Sequence, residues 1–391
     1  MLLGFKTELN LNNAQRTLLA KHAGTARHAY NQGLVLTRQV LEHNRANPDN
    51  KIKFPSAIDL HKWLVASIKP QFPWYYEVSK CAPQQALRAL RNAWERCFKR
   101  IAGAPRFKKK GKKDAFTLDG TIKILGAAHI QVPRIGVLKT FEALPQGVVP
   151  KNVTISRHAD RWFISFKLEV EPQPTEKTNQ SVGVDLGVKH FATLSTGEVF
   201  DAPAGYKALK VKIAKLQYLH RNKEKGSANW RKAMQRIARL HYRMTCLRKD
   251  FIHKLTTYLA KNFQVVCIED LNVSGMLQFG NLAGAVAMLG FYEFRRQLTY
   301  KCLLYGSELQ VIGRWEPSSK LHYKCGYRDN ALTLKDRVFY CPVCDESIDR
   351  DHNAALNIER LGLGLSSLRL VESEVPTPGD EASKSRFRNE C

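Results

Sequence analysis

Apolar and polar positions alternate over the first ten residues, with Phe5, Thr7 and Leu9 set against Lys6, Glu8 and Asn10, which predicts an opening β-strand. From Asn13 the period lengthens. Leu18, Leu19, His22 and Ala26 lead a helix expected to reach about residue 41. A second helical block is predicted over 58–68, and Pro73 and Trp74 then break the chain. A third helix follows over about 79–101, with Leu87, Leu90, Ala93 and Phe98 at helical spacing. Short alternating runs come next at 116–118, 122–124, 129–132, 153–155 and 162–168, the rhythm of a small barrel or sandwich. Pro172, Pro174, Thr175 and Asn179 read as a linker. Beyond residue 181 the pattern is α/β: strands at 182–185 and 191–194 turning at Gly187, then a long helical pair over 206–261 broken at Gly226 and Ser227. A buried strand at 263–268, a helix at 290–306 and a strand at 309–312 complete it. Residues 313–347 lack periodicity, a last helix is expected over 352–361, and the charged, proline-bearing end of the chain reads as disordered. No internal repeat is visible.

Charge narrows the functional classes. Against 35 acidic residues stand 62 Lys and Arg in a chain of 391, a net +27 that calls for a polyanionic partner. Nucleic acid fits better than an anionic membrane surface. The first ten residues do not resemble a signal peptide, and the apolar run at 282–291 is too short to span a bilayer. Nine cysteines, an odd number, do not suggest a secreted disulfide framework; a reducing cytoplasmic setting is expected, with clustered cysteines binding metal.

Those clusters exist. His322-x₂-Cys325 and Cys341-x₂-Cys344, fifteen residues apart, have the spacing of a zinc ribbon with histidine in place of the first cysteine. Two short knuckles offer four ligands that close tetrahedrally on one Zn²⁺, with His352 as another candidate for the fourth. Three carboxylates also stand out. Asp185 ends a strand before Leu186-Gly187, Glu269 ends the strand 265–268, and Asp351 opens a helix. Converged, they would bind Mg²⁺ or Mn²⁺ and serve phosphodiester hydrolysis. Each has a plainer reading: Asp351 as a helix cap, Glu269 with Asp270 as strand-end solvation, and Asp185 as a turn former.

Two basic segments match the charge. Between residues 207 and 254 lie fifteen Lys or Arg against only Glu224 and Asp250, and Arg231, Arg236, Arg239 and Arg243 fall on the polar side of an apolar stripe. Such a helix packs one face and offers the other to phosphates. Residues 106–113 (RFKKKGKK), with Lys108, Lys109 and Lys110, are a loop version of this feature or simply a flexible surface loop.

Taken in order, Gly183-Val184-Asp185-Leu186-Gly187, Ile268-Glu269-Asp270-Leu271-Asn272, Phe294-Arg295-Arg296-Gln297-Leu298, Pro317-Ser318-Ser319-Lys320 and Asp349-Arg350-Asp351-x-Asn353-Ala354-Ala355 resemble the TnpB family, transposon-encoded RNA-guided nucleases related to type V CRISPR effectors. Gln15, Gly24, Arg27 and Tyr30-Asn31 are similar to the family's N-terminal helix.

The resemblance implies an α/β multidomain chain. A β-barrel, OB-like wedge domain (1–12 and 101–178) would be split by a helical recognition domain (13–100). An RNase H-like (RuvC) nuclease (179–312 and 346–365) would carry an inserted zinc ribbon (313–345), with a disordered tail at 366–391. It implies Asp185, Glu269 and Asp351 as the catalytic metal ligands, Asp349 and Asn353 as neighbours shaping their loop, and Lys80 and Gln84 as readers of a short transposon-adjacent motif. Helix solvation is the plainer role for that last pair. The implied partners are a guide RNA from the transposon end and double-stranded target DNA, with specificity delegated to base pairing and one protein per RNA. Localisation would be cytoplasmic, at the nucleoid of a prokaryote.

Two departures from the pattern are His322 at a ligand position that is usually cysteine, and Glu316 where an aromatic residue is common. The intact carboxylates favour cleavage over a non-cleaving RNA-guided binder. A miniature type V CRISPR effector remains the alternative within the enzymes.

Overall fold

A computed structural model describes residues 1–278, 280–333 and 336–365, so the tail expected from 366 lies outside the described residues. The chain forms two units: Met1–Val170 with Leu216–Tyr242, and Glu171–Lys215 with the described part of Arg243–Cys391.

In the first unit the opening strand β1 (Leu2–Asn10) turns Thr7 and Leu9 inward, as the alternation predicts. Asn12 and Gln15 then form a reciprocal cap, side chain to backbone in both directions, that starts α1 (Asn13–Ala46). The helix runs past residue 41, the end expected from the sequence, through the polar residues 42–45, which carry no apolar signal. α2 (Ala57–Trp63) widens into a π-turn at Leu64–Ile68. α3 (Cys81–Phe98) crosses α1 at Gly33, where a Cβ would lie 2.7 Å from Leu87 and 2.9 Å from Leu90.

Six further strands follow: β2 (Ala115–Asp119), β3 (Lys123–Ile124), β4 (His129–Val132), β5 (Gly136–Thr140), β6 (Asn152–His158) and β7 (Arg161–Glu169). All ladders are antiparallel, in the order β2-β6-β7-β1-β5-β4-β3. β1 pairs with β7 along residues 2–8 and passes to β5 at Leu9 and Asn10, which joins the two halves of the sheet. Among the described residues the edge strands β2 and β3 share no ladder, so hydrogen bonds do not close the sheet into a cylinder. Sequence alone missed β5, which begins on a glycine and exposes Val137. Leu19, Leu34 and Leu87 of the helices share one core with Phe116, Ile130, Ile155 and Ile164 of the sheet.

The second unit is built on β8 (Asn179–Asp185), β9 (Ala192–Leu194) and β10 (Val199–Phe200), followed by α4 (Tyr206–Leu219) and α5 (Ala228–Asn262). Then come β11 (Phe263–Glu269), α6 (Val273–Met276), α7 (Gly280–Leu289), α8 (Phe291–Tyr305) and β12 (Glu308–Ile312). The hairpin β13 (Val338–Cys341) and β14 (Glu346–Asp349) leads into α9 (Arg350–Gly362). The end of α4 and the first part of α5 belong to the first unit. The sheet order is β10-β9-β8-β11-β12, with β8, β11 and β12 parallel and β9 and β10 antiparallel.

Val182, Val184, Val266 and Ile268 form the buried floor under Phe191, Phe263, Phe291 and Phe294. The segment expected to be a linker starts just past the boundary between the units at Val170, and it is pinned within the second unit: Gln173 and Thr175 donate to the carbonyls of Leu304 and Tyr305 at the end of α8, and Lys177 donates to the carbonyls of Ala260 and Tyr305. No described helix is long and apolar enough to cross a membrane.

Candidate active site and metal centre

Two parallel strands deliver the first two carboxylates. The register Ile268↔Val184 sets Glu269 beside Asp185 at the C-terminal ends of β11 and β8. The third arrives on α9, which lies across β8 in the opposite direction. Ser181 donates to Glu359, and the backbone at Gly183 meets Ala355 so closely that a Cβ there would sit 2.0 Å from its carbonyl oxygen. Two strand residues advance about 6.6 Å and four helix residues about 6 Å, so the next step sets Asp351 opposite Asp185. Gly183 is thus the position that lets helix and strand approach. Gly362 does the same for α9 and β11, where a Cβ would lie 2.4 Å from the Cys267 sulfur.

The electrostatics record this approach. Burial, then the charges of Asp351 and Glu269, push the Asp185 carboxyl from 3.8 to about 7, partly offset by Arg350. Glu269 is also raised, by burial and by Asp270. Asp270 itself is held low by Arg295 and Arg314, with which it forms ion pairs, so the strand-end reading suits Asp270 and not its neighbour. The helix cap is Asp349, whose carboxylate accepts the amides of Asp351 and His352 at 3.0 Å each. Asp351 therefore sits in the first turn with the capping role already filled.

His322, Cys325, Cys341 and Cys344 are placed to hold one metal ion, with ligand atoms all within 4.8 Å of one another. Among the described residues no other set of three His, Cys, Asp or Glu side chains meets that spacing, so the three carboxylates form a looser group. The Nδ1 atom of His322 lies 3.3 Å from the Cys325 sulfur, and the sulfurs of Cys325 and Cys341 are 3.4 Å apart. These distances approach the roughly 3.5–3.8 Å expected between ligands of a tetrahedral zinc. His322 is fully buried, its Nε2 has no hydrogen-bond partner, and Glu346 stands 3.7 Å from that nitrogen. The alternative ligand His352 is engaged elsewhere, with Nε2 3.1 Å from the Ser195 carbonyl. No disulfide links the described cysteines.

The basic positions fall in several places. Lys80 precedes α3 and Gln84 lies in its first turn; both line a cavity of about 840 Å³ with Lys69, Tyr76, Gln131 and Arg134. The loop at 106–113 is anchored to α1. The side chain of Asn31 bonds the backbone N–H and carbonyl of Lys108, whose ammonium lies 4.0 Å from the Tyr30 ring centroid, while Lys109 and Lys110 are exposed. On α5 Arg231, Arg236 and Arg243 are exposed, and Arg239 is paired with Asp160 at 2.6 Å.

Sequence reasoning overlooked the roles of Asn357, Arg295 and Arg314. Asn353 and Asn357, four apart on one helix face, are fully buried polar residues that bond the backbone of the first knuckle. Their i,i+4 spacing was the available signal.

Comparison with known proteins places this architecture. Residues 165–279 match the OrfB_IS605 family, described as "Probable transposase", and residues 291–358 match "Cas12f1-like, TNB domain". Residues 1–46 match a "Helix-turn-helix domain", although they form one strand and a single long helix. A Streptomyces pristinaespiralis protein named "Putative RNA-guided DNA endonuclease" is 40% identical over 74% of this chain and 73% of its own. The similarly named InsQ of Escherichia coli K12 is 32% identical over 92% of each chain. The protein in a solved Cas12f1–sgRNA–target DNA complex shares the fold at a TM-score of 0.53, with 14% identity over 89% of this chain and 83% of its own. With relatives this similar over most of their length, the chain belongs to the TnpB family.

Proposed function

We propose that the protein is an RNA-guided, metal-dependent DNA endonuclease that cleaves guide-matched DNA at one RuvC-like, RNase H-like centre formed by Asp185, Glu269 and Asp351. The observation that carries this reading is the register of β8, β11 and α9, which sets three carboxylates at one end of a sheet in a chain of net charge +27. Like charges so arranged are costly unless a cation offsets them, and the donor set is all oxygen, as Mg²⁺ or Mn²⁺ prefers. When bound, such ions would act as Lewis acids on the phosphodiester and activate water. The chain's own part is to hold the carboxylates in place; burial and the neighbouring charges push Asp185 toward its protonated form, which a bound cation would reverse. Arg350 offsets part of that shift, and Arg295 with Arg314 hold Asp270 in ion pairs.

His322, Cys325, Cys341 and Cys344 would take Zn²⁺ as a structural ion with no open position. The first unit supplies the wedge and recognition functions. The cavity lined by Lys80 and Gln84 reads the transposon-adjacent motif, the amide of Gln84 being suited to adenine and Lys80 to guanine or phosphate. Lys109, Lys110, Arg231, Arg236 and Arg243 contact phosphates of the guide RNA, the target DNA or both. The guide comes from the transposon end, and one protein binds one RNA in the cytoplasm.

The test is to purify the protein with its RNA, sequence that RNA, and supply a matched, motif-bearing plasmid with Mg²⁺. Cleavage by the native protein and none by Asp185→Ala is expected. Undiminished cleavage by Asp185→Ala removes the active-site assignment, and intact plasmid with the native protein favours a non-cleaving RNA-guided binder.

A further inference from the structure

The backbone beside the ligands of the cysteine-rich centre is bonded to the helix that carries Asp351. Asn353 accepts the Tyr323 amide at 3.0 Å and donates to the Leu321 carbonyl at 2.7 Å, so it grips the residues on both sides of His322. One turn on, Asn357 donates to the carbonyls of Ser318 and Leu321 at 2.8 and 2.7 Å. Arg360 adds a bond to the Tyr323 carbonyl at 2.8 Å. The second knuckle reaches the same helix covalently, because β14 runs from just beyond Cys344 straight into α9 without a loop. There the Arg350 amide bonds the Arg337 carbonyl at 2.9 Å, and its guanidinium bonds the carbonyl of Thr333 at 2.9 Å. The helix is thus braced by both knuckles, and Asp351 lies in the chain between Arg350 and Asn353, two of the residues that make these bonds. Such bracing opposes a repulsion, since Asp351 on α9 is the like charge that acts most strongly on Asp185 of β8.

We propose that Asn353 and Asn357 are positioning residues that lock the cysteine-rich centre to the Asp351 helix, so that filling that centre sets the affinity of the carboxylate site for a divalent cation. The coupling rests on the proposed carboxylate site, and it is reciprocal, as any coupling between two binding sites must be. A purely structural role for two buried amides predicts lowered stability alone. A positioning role predicts weaker cation binding at a site neither amide touches, by about 10–100-fold, the usual effect of removing a group that orients a ligand.

The full-length protein, freed of RNA, is titrated with Mn²⁺ by electron paramagnetic resonance while its zinc content is measured by mass spectrometry. Asn353→Ala and Asn357→Ala are expected to retain zinc and to weaken Mn²⁺ binding tenfold or more, with Asn353→Ser intermediate. Cys344→Ser is expected to weaken Mn²⁺ binding in the native background and to add little in the Asn353→Ala/Asn357→Ala background, as coupled residues do in a mutant cycle. Hydrogen exchange of the β8 and β11 amides distinguishes a displaced helix from a collapsed fold. Mn²⁺ affinity within twofold of native in both asparagine variants, alongside loss of binding in Asp185→Ala, overturns the coupling and leaves the carboxylate site standing. Undiminished Mn²⁺ binding in Asp185→Ala instead overturns the carboxylate site itself.

Discussion

Asp185→Asn keeps the shape of the side chain and removes its charge, and it should stabilise the metal-free protein at neutral pH while abolishing cation binding. The folded state raises this carboxyl from 3.8 to about 7, chiefly through burial and then through Asp351 and Glu269. A pKa raised on folding favours the protonated form. The favourable contribution is therefore complete below the unfolded value, fades between pH 3.8 and about 7, and is gone above that. At 1.36 kcal/mol per unit the ceiling is about 4 kcal/mol, and solvent screening at this half-buried group lowers it. The assay is hydrogen exchange of the β8 and β11 amides from pH 5 to 8 in Mg²⁺-free buffer. Native protection should fall as pH rises, whereas the asparagine variant should hold its protection and exceed native by about 1 kcal/mol or more at pH 8. Adding Mg²⁺ should restore the native protein alone. Equal pH dependence in the two proteins, or an asparagine variant less protected at pH 8, refutes the electrostatic account.

Other substitutions probe separate parts of the account. Gly183→Ala drives a methyl group into the Ala355 carbonyl and should cost about 1–3 kcal/mol or more, with α9 peptides exchanging faster and cleavage lost together. His322→Cys supplies the commoner ligand and should retain one zinc by mass spectrometry, whereas Cys341→Ser should lose it and lower the melting temperature. Gln84→Ala should relax the preference at one position of the adjacent motif by about 1–3 kcal/mol, read from cleavage of a randomised-motif library, and leave guide matching unchanged.

Much of this was legible in the chain because its signals are local. The strand ends at Asp185 and Glu269, the ligand spacing of the knuckles and the change of period at Asn13 all lie within short windows. What stayed hidden depends on pairing across distance. No window shows that Asp349 fills the capping role beside Asp351, since both are acidic residues at the start of one helix. Gly183 belongs to a visible motif, yet its purpose appears only when Ala355, far along the chain, is packed on it. The Asp270 pairs with Arg295 and Arg314 join three separate segments, and the bonds that pin 173–177 are made to residues far along the chain. β5 escaped for a different reason: a glycine start and an exposed valine break the alternation that marks a strand.

The central claim is that Asp185, Glu269 and Asp351 form one centre that cuts DNA. Its most direct test is the single-turnover cleavage rate of guide-matched duplex at saturating Mg²⁺ for the native complex, Glu269→Gln and Asp351→Asn, with target binding measured in parallel. A rate loss of about 10³-fold or more in each variant, roughly 4 kcal/mol of barrier, with binding within threefold of native, is the predicted result. Cleavage by either variant within tenfold of native contradicts it.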